Sequence, residues 1–338
     1  MKAIVSRPRG GFALQEVQTP ALGSGEALLA VKAAGLCGTD LAKLAEPGAG
    51  QRPLGHEIAG VIHAVAPDVT RLAVGDRVVA AHHVPCGRCW ACRHGSESMC
   101  RQFKATNIEP GGFAEFVRLS ALHVQHVAFR LPAELAFDAA AFTEPLACAV
   151  RAVERSAVQP GDRIGVFGGG GMGLLIAQVL AARGAVPVVV EVSESRLALA
   201  RALRVKETVN PAREDLARVV AETTGGAGLD GVVLTVATAA VLAQAQRLVR
   251  AGGRINVFAG PAEGPLLPLD FGDLYHRELS VCSTYSATPA TLAAALDLLA
   301  TNQVQVLPLI SHRLPLTAFE EGVRLQRSGQ AVKVIFQP

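Results

Sequence analysis

The chain has 338 residues, with 32 Lys and Arg against 29 Asp and Glu and a net charge of +3. Half of the residues are apolar and 18% are charged, which excludes a disordered, collagenous or coiled-coil chain. With so small a charge, spread over interleaved basic and acidic residues, the sequence points to no nucleic-acid partner.

Mean hydropathy is positive, and residues 164–182 form an uncharged run of nearly bilayer length. Gly165, Gly168, Gly169, Gly170, Gly171 and Gly173 fall inside it. Each glycine costs a helix interior about 1 kcal/mol relative to alanine, so the run reads as strand, turn and helix. Residues 1–17 show no long apolar segment followed by a small-residue cleavage site. The expectation is a cytoplasmic protein with no membrane partner.

Residues 1 to about 145 read as β-rich. Short Val-rich runs at 27–31, 58–65 and 76–80 are bounded by Gly, Pro and Asp. From about 150 strands and helices alternate, the pattern of a parallel sheet. Strands are predicted at 163–167, 186–191, 207–209, 231–236, 254–258 and 279–283. Helices are predicted at 171–182, 195–203, 215–223 and 239–250. The tail reads as helix at 291–300 and 318–328 and strand at 332–336. The divisions expected are 1–147, 148–288 and a C-terminal segment 289–338.

Seven cysteines, an odd number in a long chain, argue against a disulfide framework. Cys86, Cys89, Cys92 and Cys100 lie within fifteen residues that also hold Gly87 and Gly95 and follow Pro85. Three thiols at i, i+3 and i+6, with a fourth after a short excursion, close a tetrahedral site in one lobe, about 85–101. A full tetrathiolate leaves no open position, so a zinc ion there is structural.

Gly168-x-Gly170-x-x-Gly173 directly follows the predicted strand 163–167 and, through Gly171, opens the helix. In that context the first glycine allows the tight turn, the second admits a pyrophosphate, and the third lets helix pack on sheet. The helix N-terminus adds free N–H groups for the phosphates. The next strand ends in Glu191, whose carboxylate would bind the adenosine ribose hydroxyls and repel a 2′-phosphate. NAD is favoured over NADP. Arg196 is the counterweight, since an arginine accommodates that phosphate.

Cys37 in Gly-Leu-Cys-Gly-Thr-Asp, His56 and Glu57 in Gly-His-Glu, and Glu144 in Thr-Glu-Pro-Leu-Ala-Cys offer a second set of metal ligands. A catalytic zinc needs three protein ligands and one exchangeable position. Taken together and in this order, the five motifs resemble the zinc-dependent medium-chain alcohol dehydrogenases, and within them the polyol (sorbitol-like) and threonine dehydrogenase branch. The resemblance runs over essentially the whole chain. It implies a doubly wound, parallel-sheet (Rossmann) coenzyme domain beside a β-rich GroES-like catalytic domain, two zinc ions per chain, and assembly as a homodimer or homotetramer.

Carried over by motif, the resemblance implies Cys37 and His56 as catalytic-zinc ligands, with Glu144 in the Glu-Pro position of the polyol-like branch. Glu57 is either a further ligand or an outer carboxylate that exchanges with water. Asp40 matches an acid that orients the His56 ring. Thr39 is placed to take the alcohol proton, where many relatives pass it on through a histidine at the position of Ala42. Here the relay must end otherwise, through water or with help from Lys43. Arg277-Glu278 resembles a pair near substrate and coenzyme in sorbitol dehydrogenases. The remaining histidines, among them His82, His83 and His123, match no ligand spacing. Only 18 residues separate Cys37 from His56, a segment that shapes the substrate cleft in relatives.

The expected activity is hydride transfer from a small-molecule secondary alcohol, a polyol or sugar alcohol, to NAD. L-threonine or a sugar-alcohol phosphate is the rival substrate. A zinc-free reductase and a catalytically silent dinucleotide-binding protein are the competing classes, opposed by the intact Cys37, His56, Glu144 and Thr39.

Overall fold

The computed structural model describes residues 1–7, 10–45, 53–259 and 268–338. They form two compact units: Met1–Ala147 with Ala287–Asn302 and Leu309–Pro338, and Cys148–Ser286 with Gln303–Pro308. Within the tail, residues 303–308 thus pack with the second unit. Gln178 holds them there, its side-chain oxygen accepting the Gln305 N–H (2.8 Å) and its amide donating to the Gln305 carbonyl (3.1 Å).

The first unit is built on a seven-stranded sheet. Along its path run Ile310–Pro315, Lys333–Gln337, Ala27–Gly35, Glu57–Val65, Arg77–Ala80 and Ala128–Arg130, with Phe116–Leu119 also paired to Ala27–Gly35. Ala27–Gly35, an Ala- and Leu-rich strand in the middle of the sheet, is buried over nearly its whole length, with only Lys32 exposed. A core of Leu29, Val31, Ile58, Ile62, Val78, Phe113 and Phe336 covers it.

The second unit holds the six-stranded parallel sheet: β1 (Arg163–Phe167), β2 (Val186–Val190), β3 (Glu207–Val209), β4 (Leu229–Leu234), β5 (Val249–Val257) and β6 (Ser280–Ser283). Their order is 3-2-1-4-5-6, the doubly wound arrangement. β5 begins five residues before the predicted strand, because a register shift lets Val249 pair with Leu229 ahead of the Arg254–Gly231 pair. The helix Thr143–Arg155, which carries Glu144, was not expected from the sequence. Pro145 obscures it there, yet a proline in the first turn removes no helical hydrogen bond. Among the described residues no helix is long and apolar enough to cross a membrane.

Candidate active site and coenzyme turn

Strand pairing assembles the first site. Ala27–Gly35 runs antiparallel to Glu57–Val65 with Gly35 opposite Glu57. Cys37 therefore leaves the end of one strand where His56 and Glu57 enter its neighbour. On the other side Lys333 opens the last strand, two residues before Ile335, which pairs with Gly35. A side chain on Gly35 would put its Cβ 2.0 Å from Glu57 Oε2, so the glycine is what leaves room for that carboxylate. Lys333 makes an ion pair with Glu57 and donates to the Leu36 carbonyl (3.1 Å).

Asp40, in the helix Gly38–Ala45, is fully buried. Its carboxylate accepts the N–H groups of Cys37 (3.1 Å) and Gly55 (2.9 Å) and faces His56 Nδ1 at 3.4 Å. Both segments carrying ligands are thus tied to one acid, and Nε2 is the ring nitrogen left to bind a metal. Burial pushes the His56 pKa down, but the adjacent Asp40 and Cys37 outweigh it and hold it well above the ordinary value. Burial likewise raises Asp40, and the His56 charge with the two N–H donors brings it below the carboxylate range. Lys333 is raised because Glu57, Cys37 and Glu144 overcome its own burial.

One ligand atom each of Cys37, His56 and Glu57 lie within 4.8 Å of one another. A half-buried thiol beside a buried imidazole and a buried carboxylate makes the donor set that zinc takes in catalytic sites. Glu144 is not in that cluster. It is buried in the first turn of Thr143–Arg155, and its charge acts on the same Lys333. Thr39 is exposed in the first turn of its helix, two residues beyond Cys37. Lys43 folds back to donate to the Pro53 carbonyl (3.3 Å). Residues 46–52 of the segment between Cys37 and His56 lie outside the described residues.

His82, set aside on spacing, packs against the site. Its ring centroid is 4.7 Å from that of His56 and 3.9 Å from that of His83. The signal was the sheet register: Ile58 pairs with Ala80, so the antiparallel course of the strands carries His56 past His82. Burial among His56, His83, Lys43 and His123 pushes its pKa well below the ordinary value.

Cys86, Cys89, Cys92 and Cys100 form a second cluster of the same tightness. Burial pushes the Cys100 thiol up, but the N–H groups of Cys86 and Phe103 outweigh it and hold it at about 6. The N–H groups of Arg88 and Cys89 lower Cys86 in the same way. Backbone donors aimed at sulfur stabilise thiolate, the form that binds zinc.

The glycine turn fits a dinucleotide position by position. Gly168 has φ +106°, and a Cβ there would lie 2.4 Å from Thr235 Oγ1. A Cβ on Gly173 would fall 1.8 Å from the Gly168 carbonyl, the close contact of helix with turn. At Gly170, the N-cap of the helix Gly171–Ala182, a Cβ would meet nothing within 4 Å, which is the open approach a pyrophosphate needs. Glu191 is buried at the end of β2, where it accepts the N–H groups of Gly169 (2.7 Å) and Ser193 (2.9 Å). Arg196 stands 3.6 Å from its carboxylate.

Arg277 does not join this turn. Its guanidinium donates to the carbonyls of Val249 (2.9 Å) and Gln246 (2.6 Å) and pairs with Asp273 (2.8 Å). Val249 begins β5, whereas the glycine turn and Glu191 follow the opposite, C-terminal ends of β1 and β2. The expected coenzyme contact is corrected to a bracket between the end of one helix and the start of the next strand.

Comparison with known proteins agrees with this geometry. The model of the alcohol dehydrogenase GroES-like domain matches residues 23–129, and that of the zinc-binding dehydrogenase matches 171–301. The chain is 32% identical to an L-threonine 3-dehydrogenase of Bacillus velezensis, covering 100% of this chain and 99% of that protein. It is 36% identical to a D-altritol 5-dehydrogenase of Agrobacterium fabrum over 94% of this chain and 93% of that one. A zinc-binding dehydrogenase of Sinorhizobium meliloti 1021, solved with NADP bound, superposes with a TM-score of 0.90 at 29% identity, covering 100% of this chain and 99% of that one. The chain belongs to the zinc-dependent medium-chain alcohol dehydrogenase family.

Proposed function

We propose that this protein reversibly oxidises a secondary alcohol of the polyol or sugar-alcohol class, with NAD as hydride acceptor and one catalytic and one structural zinc per chain. The observation that carries the reading is the convergence of half-buried Cys37 with buried His56 and Glu57, their ligand atoms within 4.8 Å of one another. Cys37 and His56 hold the catalytic ion, with Glu57 or Glu144 as the carboxylate ligand, and Cys86, Cys89, Cys92 and Cys100 hold the structural one. The catalytic zinc would supply the acidity that lets an alcohol lose its proton near neutral pH, and nicotinamide would take the hydride.

The chain's own residues do the rest. Asp40 orients the His56 ring. Thr39 Oγ1, exposed two residues from Cys37, receives the hydroxyl proton, and with alanine at position 42 water carries it onward. Gly168, Gly170, Gly171 and Gly173 admit the pyrophosphate to the helix N-terminus. Glu191 takes the adenosine ribose and, despite Arg196 beside it, opposes a 2′-phosphate.

β6 is the edge of its sheet, with Val281, Tyr285, Phe271 and Tyr275 exposed on or beside it, which supports a homodimer or homotetramer. The seven cysteines, all free, fit the reducing cytoplasm. L-threonine is the second candidate substrate, since a named relative oxidises it.

The test is NADH formation by the zinc-loaded protein with sorbitol, xylitol, ribitol, 2,3-butanediol and L-threonine, each with NAD and with NADP. Chelator-sensitive turnover of a polyol with NAD is expected. Turnover of L-threonine alone would move the substrate class and keep the chemistry.

A further inference from the structure

We propose that His82 binds an oxygen on the carbon next to the one oxidised, so that a vicinal diol is preferred over a simple secondary alcohol. The inference rests on the dehydrogenase reading above and names the substrate feature that the same site selects.

Three buried or half-buried histidines cluster beside His56, and they differ in one respect. His83 Nδ1 meets the Thr106 carbonyl. His123 has both ring nitrogens engaged, with Ser120 Oγ (2.7 Å) and the His82 carbonyl (3.0 Å). His82 is 9% exposed, and neither of its ring nitrogens has a hydrogen-bond partner among the described residues. An unpaired imidazole in such a place is costly to keep unless something polar meets it. The residue left unpaired is the one whose ring lies against His56.

The backbone of His82 is fixed by His123, and its ring is packed between those of His56 and His83. It is therefore a preorganised group and not a free surface side chain. With its ring centroid 4.7 Å from that of His56, His82 is the adjoining polar side chain that would meet the neighbouring carbon's oxygen of an alcohol bound at His56. Imidazole donates through one nitrogen and accepts through the other, and a hydroxyl matches either role. An alkyl neighbour offers neither, and an ammonium offers only donors. The binding role does not depend on the protonation state, since imidazolium donates as well.

The experiment compares 2,3-butanediol with 2-butanol, using zinc-loaded wild type, His82→Phe and His82→Asn. His82→Phe keeps a ring of similar size and removes the polar atoms. It is expected to lower kcat/KM for the diol by about 10- to 100-fold while changing that for 2-butanol by less than about 3-fold. His82→Asn, which restores a donor and an acceptor, should recover part of the loss. Zinc content per chain, measured on each variant, should stay at the wild-type value. In the wild type, the diol should also shift the His82 ring nitrogen resonances in an imidazole 15N spectrum, and 2-butanol should not. Equal losses on both alcohols with zinc retained, or an unmoved His82 resonance, would overturn the role of His82 and leave the dehydrogenase reading standing. A zinc-loaded wild type inert on every alcohol of the panel above, with either coenzyme, would overturn that reading and this inference with it.

Discussion

The two cysteine-bearing clusters reach similar tightness by opposite routes. In the lobe, four thiols come from fifteen consecutive residues, and backbone N–H groups of the same lobe stabilise the Cys86 and Cys100 sulfurs. In the buried site, Cys37 and His56 come from the ends of paired strands, and the acid beside them is matched by Lys333, which bonds the Leu36 carbonyl across 297 positions of sequence. The first cluster needs only a loop, whereas the second needs a sheet in correct register. Damage to either should then be felt in different measurements.

The sharpest way to separate them is to remove one ligand from each. Cys37→Ser should cost about 1,000-fold or more in kcat, because the metal supplies several kcal/mol of charge stabilisation. Zinc analysis should then find one ion per chain, with thermal stability little changed. Cys100→Ser should also lose one ion, but its effect should appear in Tm, a fall of roughly 5–10 °C for about 2–3 kcal/mol. Identical signatures from the two variants would erase the distinction.

Asp40→Asn tests the tie between the two strand ends without touching a ligand. Loss of the acid that orients His56 should lower zinc affinity or kcat by about 10- to 100-fold, read by competition with a chromophoric chelator and by initial rates. In the second unit, Glu191→Ala should raise KM for NAD by about 10-fold and narrow the preference over NADP. An unchanged ratio would show that Arg196, not Glu191, sets the coenzyme.

The smallest expected effect is on pH stability. Burial pushes His83 down to about 4 in the folded chain, against 6.5 for an ordinary histidine. The unfolded chain therefore binds a proton that the folded one refuses between those values. Stability is intact above about 6.5, falls as pH drops toward about 4, and levels below. His83→Phe, which keeps the ring contact to Phe103, should soften that acid-side loss by about 1 kcal/mol in urea titrations at pH 4.5 and 7.

Much of the second unit was legible because its signals are local. The strand at 163–167 and the helix at 171–182 coincide with the predicted bounds, since each is an apolar run with a turn at its edge, and the short strand at 207–209 coincides as well. The glycine turn was legible for the same reason: three steric requirements fall within six residues. The helix Thr143–Arg155 was hidden by Pro145, and β5 by a register shift that no residue pattern announces. Arg277 is singled out by its resemblance to an Arg-Glu pair of sorbitol dehydrogenases, yet its carbonyl partners are decided by packing. His82 matches no ligand spacing in the sequence, because nothing in its neighbours along the chain connects it with His56.

The sequence by itself determined what short-range chemistry can write: a tetrathiolate lobe, a phosphate-binding turn, an acid at the end of the second strand, and the order of the family's motifs. The tertiary structure alone decided that the Glu57 carboxylate lies beside Cys37 and His56, that Lys333 pairs with it, that the Arg277 guanidinium binds the carbonyls of Val249 and Gln246 and that the His82 ring lies against His56. Those choices depend on strand register, where a shift of one residue turns every side chain to the other face. Register is set by the summed burial of a whole sheet, and no segment of the chain carries that sum alone.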